Sequence, residues 1–127
     1  MKTATKKYVD GFVIPIKKKN LPAYKKMAEW GAEMWMKYGA LEYFECVGDD
    51  LKVKKGMGLG FPKLADLKKD ETVIFSYIVF KSKVHRDAVN KKVIAEMEKN
   101  TDKYKDMPMP FDMKRFYYGG FQAIVEA

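Results

Sequence analysis

Six polar side chains of this sequence have the chemistry to hold or transform a small organic ligand. They are Glu45, His85, Arg86, Asn90, Asp112 and Arg115. Glu45 lies between apolar neighbours in a predicted strand, where burial would raise the pKa of its carboxyl group, and perturbed acids mark functional sites. The alternative for Glu45 is an exposed position at the edge of a sheet.

His85 is the only histidine of the chain, and it is predicted to lie in the first turn of a helix that Ser82 caps. The helix N-terminus lowers the pKa of an imidazole there, so a neutral His85 in a cleft could act as a general base. The favoured alternative is a surface or capping role. One histidine makes no metal site without acids or a cysteine from elsewhere, so no metal is predicted.

Arg86 and Asn90 are four residues apart and therefore share one face of that helix. If the pair projects into a cleft, it would suit a carboxylate or amide ligand. The alternative, which we favour, is an ion pair from Arg86 to a strand-end acid such as Asp49 or Asp50, which would tie the helix to a loop.

The segment MPFDMKRFYYGGF, residues 109–121, contains the last two candidates. Asp112 can cap a turn through the backbone that follows it, and Arg115 can pair with Asp112 or with an acid at a strand end. Gly119 and Gly120 predict a bulge or a close backbone approach within the last strand. We expect a structural turn and bulge here, with the edge of a pocket as the alternative.

Two further features carry weaker signals. Cys46 is the only cysteine, so the chain has no internal disulfide, and we expect the side chain to pack rather than to act as a nucleophile. GMGLGFP at 56–62 lacks the G-x-x-x-x-G-K-[ST] pattern of a phosphate-binding loop, so residues 51–70 are expected to form a flexible loop or lid. The sequence contains no cofactor motif, so any chemistry would be cofactor-free or use a cofactor supplied externally.

The composition predicts one globular domain over residues 1–127, since 47% of the residues are hydrophobic and 33% are charged. No apolar run approaches the roughly 20 residues that span a membrane, and the N-terminal stretch makes a poor signal peptide. With a single cysteine, a cytoplasmic location is expected. The formal net charge is +8, but only two of the 25 basic residues are arginines, so nucleic-acid binding is disfavoured.

Hydrophobic periodicity predicts the elements that position these residues. The predicted strands cover residues 8–16, 41–47, 72–80 and 115–125. One amphipathic helix is predicted to begin at Asn20 or Pro22 and to stop at Gly39, and a second extends from Lys83 to about Lys99. A short helix is predicted from Pro62 through Leu67, and a turn region over 102–112.

The element order is β-α-β followed by β-α-β. With right-handed crossovers this order gives a four-stranded antiparallel sheet with both helices on one face, the ferredoxin-like α+β sandwich. In the third strand both alternating sets of side chains are mostly apolar, whereas an antiparallel sheet with one solvated face alternates apolar and polar residues. We therefore expect a second copy of the chain to cover the helix-free face in a two-fold homodimer.

Four stretches resemble the YbaA-like family of small uncharacterised bacterial proteins. They are YVDGFV at 8–13, GA…EC.GDD at 39–50, VIFSYIVF.SK..RDAVN at 73–90 and MPFDMKRFYYGGF at 109–121. The resemblance covers nearly the whole chain, with mild departures at Val47 and Met113. It implies the dimeric α/β-barrel superfamily and therefore the fold and dimer expected above. The family is a domain of unknown function, and superfamily relatives that are cofactor-independent monooxygenases or small-ligand binding proteins offer only an analogy of fold.

Together these features predict a small cytoplasmic homodimer that binds a small organic ligand and could act on it without a cofactor. The alternative is a non-catalytic structural or interaction dimer, and a basic nucleic-acid binder is the weaker alternative. A ligand-binding protein should have a closed apolar pocket that contains at least two of the six polar residues. If that cavity is absent and these residues form ion pairs on the surface, the ligand-binding hypothesis is wrong.

Overall fold

A computed structural model describes residues 6–100 and 109–127, and these contain four strands and three α-helices. The strands are β1 (Tyr8–Lys17), β2 (Glu42–Val47), β3 (Glu71–Phe80) and β4 (Tyr117–Gln122). The helices are α1 (Leu21–Lys37), the single turn α2 (Phe61–Leu64) and α3 (Lys83–Lys99). The predicted helix from Pro62 to Leu67 is thus shorter and earlier, and residues 102–108 of the predicted turn region lie outside the described residues.

The strands form one antiparallel sheet in the order β2-β3-β1-β4. β1 and β3 lie at its centre and pair over their full lengths, from Tyr8 opposite Phe80 to Lys17 opposite Glu71. β2 pairs only with β3 and β4 only with β1, so each is an edge strand. The predicted α+β class with a four-stranded antiparallel sheet is therefore confirmed.

Local signals determine where the two long helices begin and end. Pro22 lies in the first turn of α1, and Gly39, with a φ of 112°, follows its C-cap in the left-handed conformation that glycine favours. The Ser82 hydroxyl accepts a hydrogen bond from the His85 backbone N–H at 3.1 Å and caps α3. These predicted helix ends are confirmed, because caps act within a few residues along the chain.

The core lies between the sheet and the two long helices. Its fully or almost fully buried side chains are Ile14 and Ile16 of β1, Ile74, Ile78 and Phe80 of β3, Tyr24 and Met34 of α1, and Val89 and Val93 of α3. Ile94 and Met97 of α3 are exposed, so the apolar surface that this helix presents to the core is narrow. These contacts place both long helices on the same face of the sheet.

The opposite face of the sheet carries a row of aromatic side chains, which we call the helix-free face. Its aromatic residues are Phe44, Phe75, Tyr77, Tyr117 and Phe121. The Phe44 and Tyr77 rings stack at 5.1 Å between centroids, and all of these side chains except Tyr77 are about half exposed. Cys46 lies on this face and is exposed, so the packing expected for its side chain is wrong. The apolar second face that the sequence predicts is present.

The two glycines of β4 do not form a bulge. Gly119 lies opposite Gly11 and Gly120 opposite Asp10 in a continuous register, and the strand is shorter than the predicted 115–125. A Cβ atom at position 120 would overlap the ring of Tyr8. The close approach predicted for this glycine pair is therefore confirmed at Gly120, and the bulge is wrong.

Alanine at position 120 tests this close approach. In Gly120→Ala the Tyr8 ring must move and lose its place beside Arg86, whose Cζ lies 4.8 Å from the ring centroid. We expect the free energy of unfolding, measured by urea denaturation, to fall by about 1–3 kcal/mol. Gly119→Ala is the matched control, because a Cβ there has its nearest neighbour at 3.7 Å. Equal stability of the two variants would contradict the close approach.

Candidate functional site

A cleft of about 620 Å³ lies between α1 and the edge strand β2, and we call it the α1–β2 cleft. Two structural features leave this space open. β2 has no neighbouring strand on its outer side, and α1 presents the small side chains of Ala28 and Ala32 to the cleft. Most of the lining is apolar, and its volume is that of a pocket for a small organic molecule.

The carboxylate of Glu45 is the polar centre of this cleft. Its Oε2 accepts a hydrogen bond from the Tyr24 hydroxyl at 2.6 Å, and its Oε1 accepts one from the Tyr43 hydroxyl at 2.9 Å. Burial raises the pKa of Glu45, and the hydrogen bonds from Tyr24, Tyr43 and Ser76 oppose that rise. The pKa values of both tyrosines are raised by burial and by the nearby charge of Glu45. The phenols therefore remain donors to the carboxylate at ordinary pH.

Gly31 allows the Tyr43 hydroxyl to reach this position. A Cβ atom at residue 31 would lie 2.7 Å from the Tyr43 hydroxyl oxygen, so any other residue at position 31 would displace this hydroxyl group. Glycine inside a helix costs about 1 kcal/mol relative to alanine. Apolar periodicity assigns Gly31 and Tyr24 to the core face of α1 and does not reveal their link to Glu45. An isolated glycine within a helix was the available signal of a close approach.

Arg86 and Asn90 do not line this cleft, and together they bind a buried acid of β1. Asp10, which is 4% exposed, accepts hydrogen bonds from Arg86 Nη1 at 3.1 Å and from Asn90 Nδ2 at 3.4 Å. Trp35 of α1 donates its indole N–H to Asn90 Oδ1 at 2.9 Å. An ion pair from Arg86 to a strand-end acid was expected to tie the helix to a loop. Its partner is instead Asp10 within β1, and neither Asp49 nor Asp50. This cluster joins α3, α1 and β1.

His85 also lies away from the cleft. Its Nδ1 accepts a hydrogen bond from the Lys81 backbone N–H at 3.0 Å, and the ring packs edge-on against Phe80. Burial lowers the pKa of His85, and the positive charges of Lys81 and Lys92 lower it further. The geometry is that of a neutral residue in the first turn of α3, as the favoured capping interpretation predicts.

Arg115 and Asp112 stabilise the turn before β4. The Arg115 guanidinium binds both carboxylate oxygens of Glu71 at 2.6 and 2.9 Å and donates to the carbonyl oxygens of Ala65 and Asp66. Asp112 Oδ1 accepts from the Lys114 backbone N–H at 2.9 Å. Glu71 begins β3, so the pairing of Arg115 with a strand-end acid is confirmed. A small pocket of about 130 Å³ adjoins both residues.

The loop between β2 and β3 packs near the other face of the sheet. Phe61 meets Phe75 edge-on at 6.0 Å between centroids, and none of residues 51–70 lines the α1–β2 cleft. A lid over some other site stays a prediction. Within the described ranges, no three histidine, cysteine or acidic side chains form a group that could hold a metal ion. Nor does any helix of those ranges have the length and apolarity to cross a membrane.

Acid unfolding tests the role of Arg115. Its hydrogen bonds lower the pKa of Glu71 to about 2, against about 4.3 in an unfolded chain. A carboxyl with a depressed folded pKa stabilises the protein above its unfolded pKa, and this contribution is lost as the pH falls towards the folded value. We expect Arg115→Gln to cost about 1–2 kcal/mol at neutral pH and to approach the wild-type stability near pH 2.

Urea denaturation of both proteins across this pH range measures the difference. Lys114→Gln is the control, because the Lys114 side chain is exposed and its substitution removes the same charge from the neighbouring position. A stability difference between Arg115→Gln and wild type that does not change with pH would refute the role of the ion pair.

Sequence comparisons agree with the resemblance found in the motifs. A family model described as "Protein of unknown function (DUF1428)" matches residues 7–113. Proteins named "Uncharacterized protein YbaA" from Escherichia coli (strain K12) and from Shigella flexneri are each 38% identical to this chain over 120 residues, which is 94% of this chain and 98% of each relative. The matched region includes β1, β2 and α1 and therefore the whole α1–β2 cleft. The chain belongs to this DUF1428 family of proteins of unknown function.

Proposed function

We propose that the protein binds a small organic ligand in the α1–β2 cleft, with the Glu45 carboxylate as the polar anchor. The observation that carries this proposal is a carboxylate held by two phenols inside a largely apolar cleft of about 620 Å³. Pockets for small molecules are usually apolar with a few placed polar groups. Of the six polar residues named from the sequence, Glu45 alone lines this cleft, so the cleft does not meet the expectation of two such residues in one pocket. Tyr24 and Tyr43 provide the further polar groups.

The same geometry bears on the alternatives. A carboxyl group with a raised pKa can accept a proton from a bound molecule, so chemistry without a cofactor is compatible with the site. Arg86 and Arg115 are paired with Asp10 and Glu71, so neither guanidinium is positioned to read a nucleic acid. A non-catalytic structural dimer remains the alternative that the ligand experiment decides.

We also propose a ferredoxin-like sandwich that forms a homodimer of the dimeric α/β-barrel type through the helix-free face. The strand order β2-β3-β1-β4 with two long helices on one face supports the fold. The half-exposed rings of Phe44, Phe75, Tyr117 and Phe121 support the dimer, because large apolar patches are unusual on monomers. A cytoplasmic location stays a prediction that rests on the single cysteine.

A thermal-shift screen against a metabolite library tests the ligand proposal. A compound that binds the native state raises the melting temperature, with a stabilisation of about 2.7 kcal/mol at one hundred times its Kd. We expect compounds that stabilise the wild type and lose their effect in Glu45→Gln. Glu42→Gln is the matched control, since Glu42 lies in the same strand but points to the other face. A flat screen would favour the structural dimer.

Size-exclusion chromatography with light scattering tests the dimer. At micromolar concentration we expect the wild type to elute as a dimer and Phe75→Glu as a monomer, because the carboxylate would be buried unpaired at the centre of the helix-free face. Val84→Glu, at a 79% exposed position of α3, is the control and should stay dimeric. A monomeric wild type would rule out the proposed dimer.

A further inference from the structure

We propose that the ligand of the α1–β2 cleft is an organic cation, in which a protonated amine is attached to an apolar or aromatic body. This inference rests on the proposed function, because it names the class of molecule that the same cleft would hold. It comes from the charges around Glu45, which differ from those around the other buried acids of the sheet.

Three carboxylates of the sheet are buried or half-buried, and two of them have an arginine. Asp10 pairs with Arg86 at 3.1 Å, and Glu71 pairs with Arg115 at 2.6 Å. No lysine or arginine in residues 6–100 or 109–127 forms an ion pair with Glu45. Its hydrogen bonds come from the neutral hydroxyl groups of tyrosine and serine. Buried charges are normally compensated. The third carboxylate lacks the cation that the other two have, so a cationic ligand would complete the pattern.

The lining of the cleft carries the opposite sign to the protein as a whole. Glu29 and Glu45 face the cleft with only Lys25 to balance them, although the chain has a formal net charge of +8. An anionic ligand would approach two carboxylates, and like charges at close range are unfavourable. The local charge therefore favours a cation and disfavours carboxylates and phosphates.

The hydrogen-bonding capacity of Glu45 agrees with this class of ligand. Each carboxylate oxygen has two lone pairs, and each accepts one phenol hydrogen bond. The Ser76 hydroxyl provides a third hydrogen bond. Of the four lone pairs of the carboxylate, one therefore remains for an ammonium donor. The aromatic rings of Tyr24 and Tyr43 also line the cleft, and aromatic rings attract cations. Ala28, Val47 and Ile74 provide apolar surface for the body of the ligand.

Three probes that share one aromatic body separate the charge from the shape. Phenethylamine is protonated near neutral pH, phenethyl alcohol is its neutral counterpart, and phenylpropionate is an anion. Isothermal titration calorimetry on the full chain should show the amine binding on the order of tenfold more tightly than the alcohol, because its hydrogen bonds to Glu45 are charge-assisted. The anion should bind most weakly of the three.

The Glu45→Gln variant should remove the preference for the amine, because the amide keeps the size of the side chain and loses its charge. Glu42→Gln should retain the preference, since that side chain lies on the opposite face of the strand. A circular dichroism spectrum and melting curve of each variant establish that it is folded before the titrations are compared.

The outcomes separate this inference from the proposed function. Two outcomes would refute the inference of a cationic ligand and leave the proposed ligand binding intact. In one, the alcohol binds as tightly as the amine; in the other, the metabolite screen yields only neutral or anionic ligands that need Glu45. If no probe binds but the ligands from the screen are amines that need Glu45, the inference is supported. If probes and screen are both without effect, the proposed function fails and the inference fails with it.

Discussion

The need to compensate carboxylates inside the sheet organises much of this structure. Asp10 of β1 draws Arg86 and Asn90 of α3 onto the sheet, and Asn90 in turn accepts a hydrogen bond from Trp35 of α1. Glu71 of β3 holds Arg115, which also binds the carbonyl oxygens of the loop between β2 and β3. Each acid thus fixes an element outside the strand on which it lies. Breaking such a pair is costly because it leaves the other charge buried.

Small residues decide where larger side chains can reach these positions. Gly31 lets the Tyr43 hydroxyl come up against α1, and Gly120 lets the Tyr8 ring cross β4 and lie beside Arg86. Ala28 and Ala32 work in the opposite way, because nothing fills the space beside them and the cleft stays open. The same helix therefore contacts β2 closely through one small residue and stands away from it at two others.

The sequence predicts the local features of this fold well and its pairings poorly. Caps, glycine stops and apolar periodicity depend on neighbours along the chain, so α1, α3 and the four strands could be predicted. The partner of Arg86 depends on which strand lies beneath α3. Local periodicity carries no information about this contact, because the two elements are far apart along the chain. Glu45 could be identified from its apolar neighbours in the strand. Tyr24 could not be linked to Glu45, because a tyrosine in the apolar stripe of a helix is normally assigned to the core. Gly119 and Gly120 predicted a close approach correctly and a bulge wrongly. Glycine within a strand is typical of both features, so the sequence does not distinguish them.

β2 links the two surfaces for which we propose functions. Its side chains alternate, so Tyr43 and Glu45 face the α1–β2 cleft while Phe44 and Cys46 face the helix-free side. An edge strand is held on one side only, and its backbone is freer to move than that of a central strand. A partner chain packed on Phe44 would restrain this strand and with it the distance between Glu45 and α1. Preorganisation of that kind reduces the entropy lost on binding, which gives a ligand-binding protein of this size a physical reason to dimerise through the face opposite its cleft.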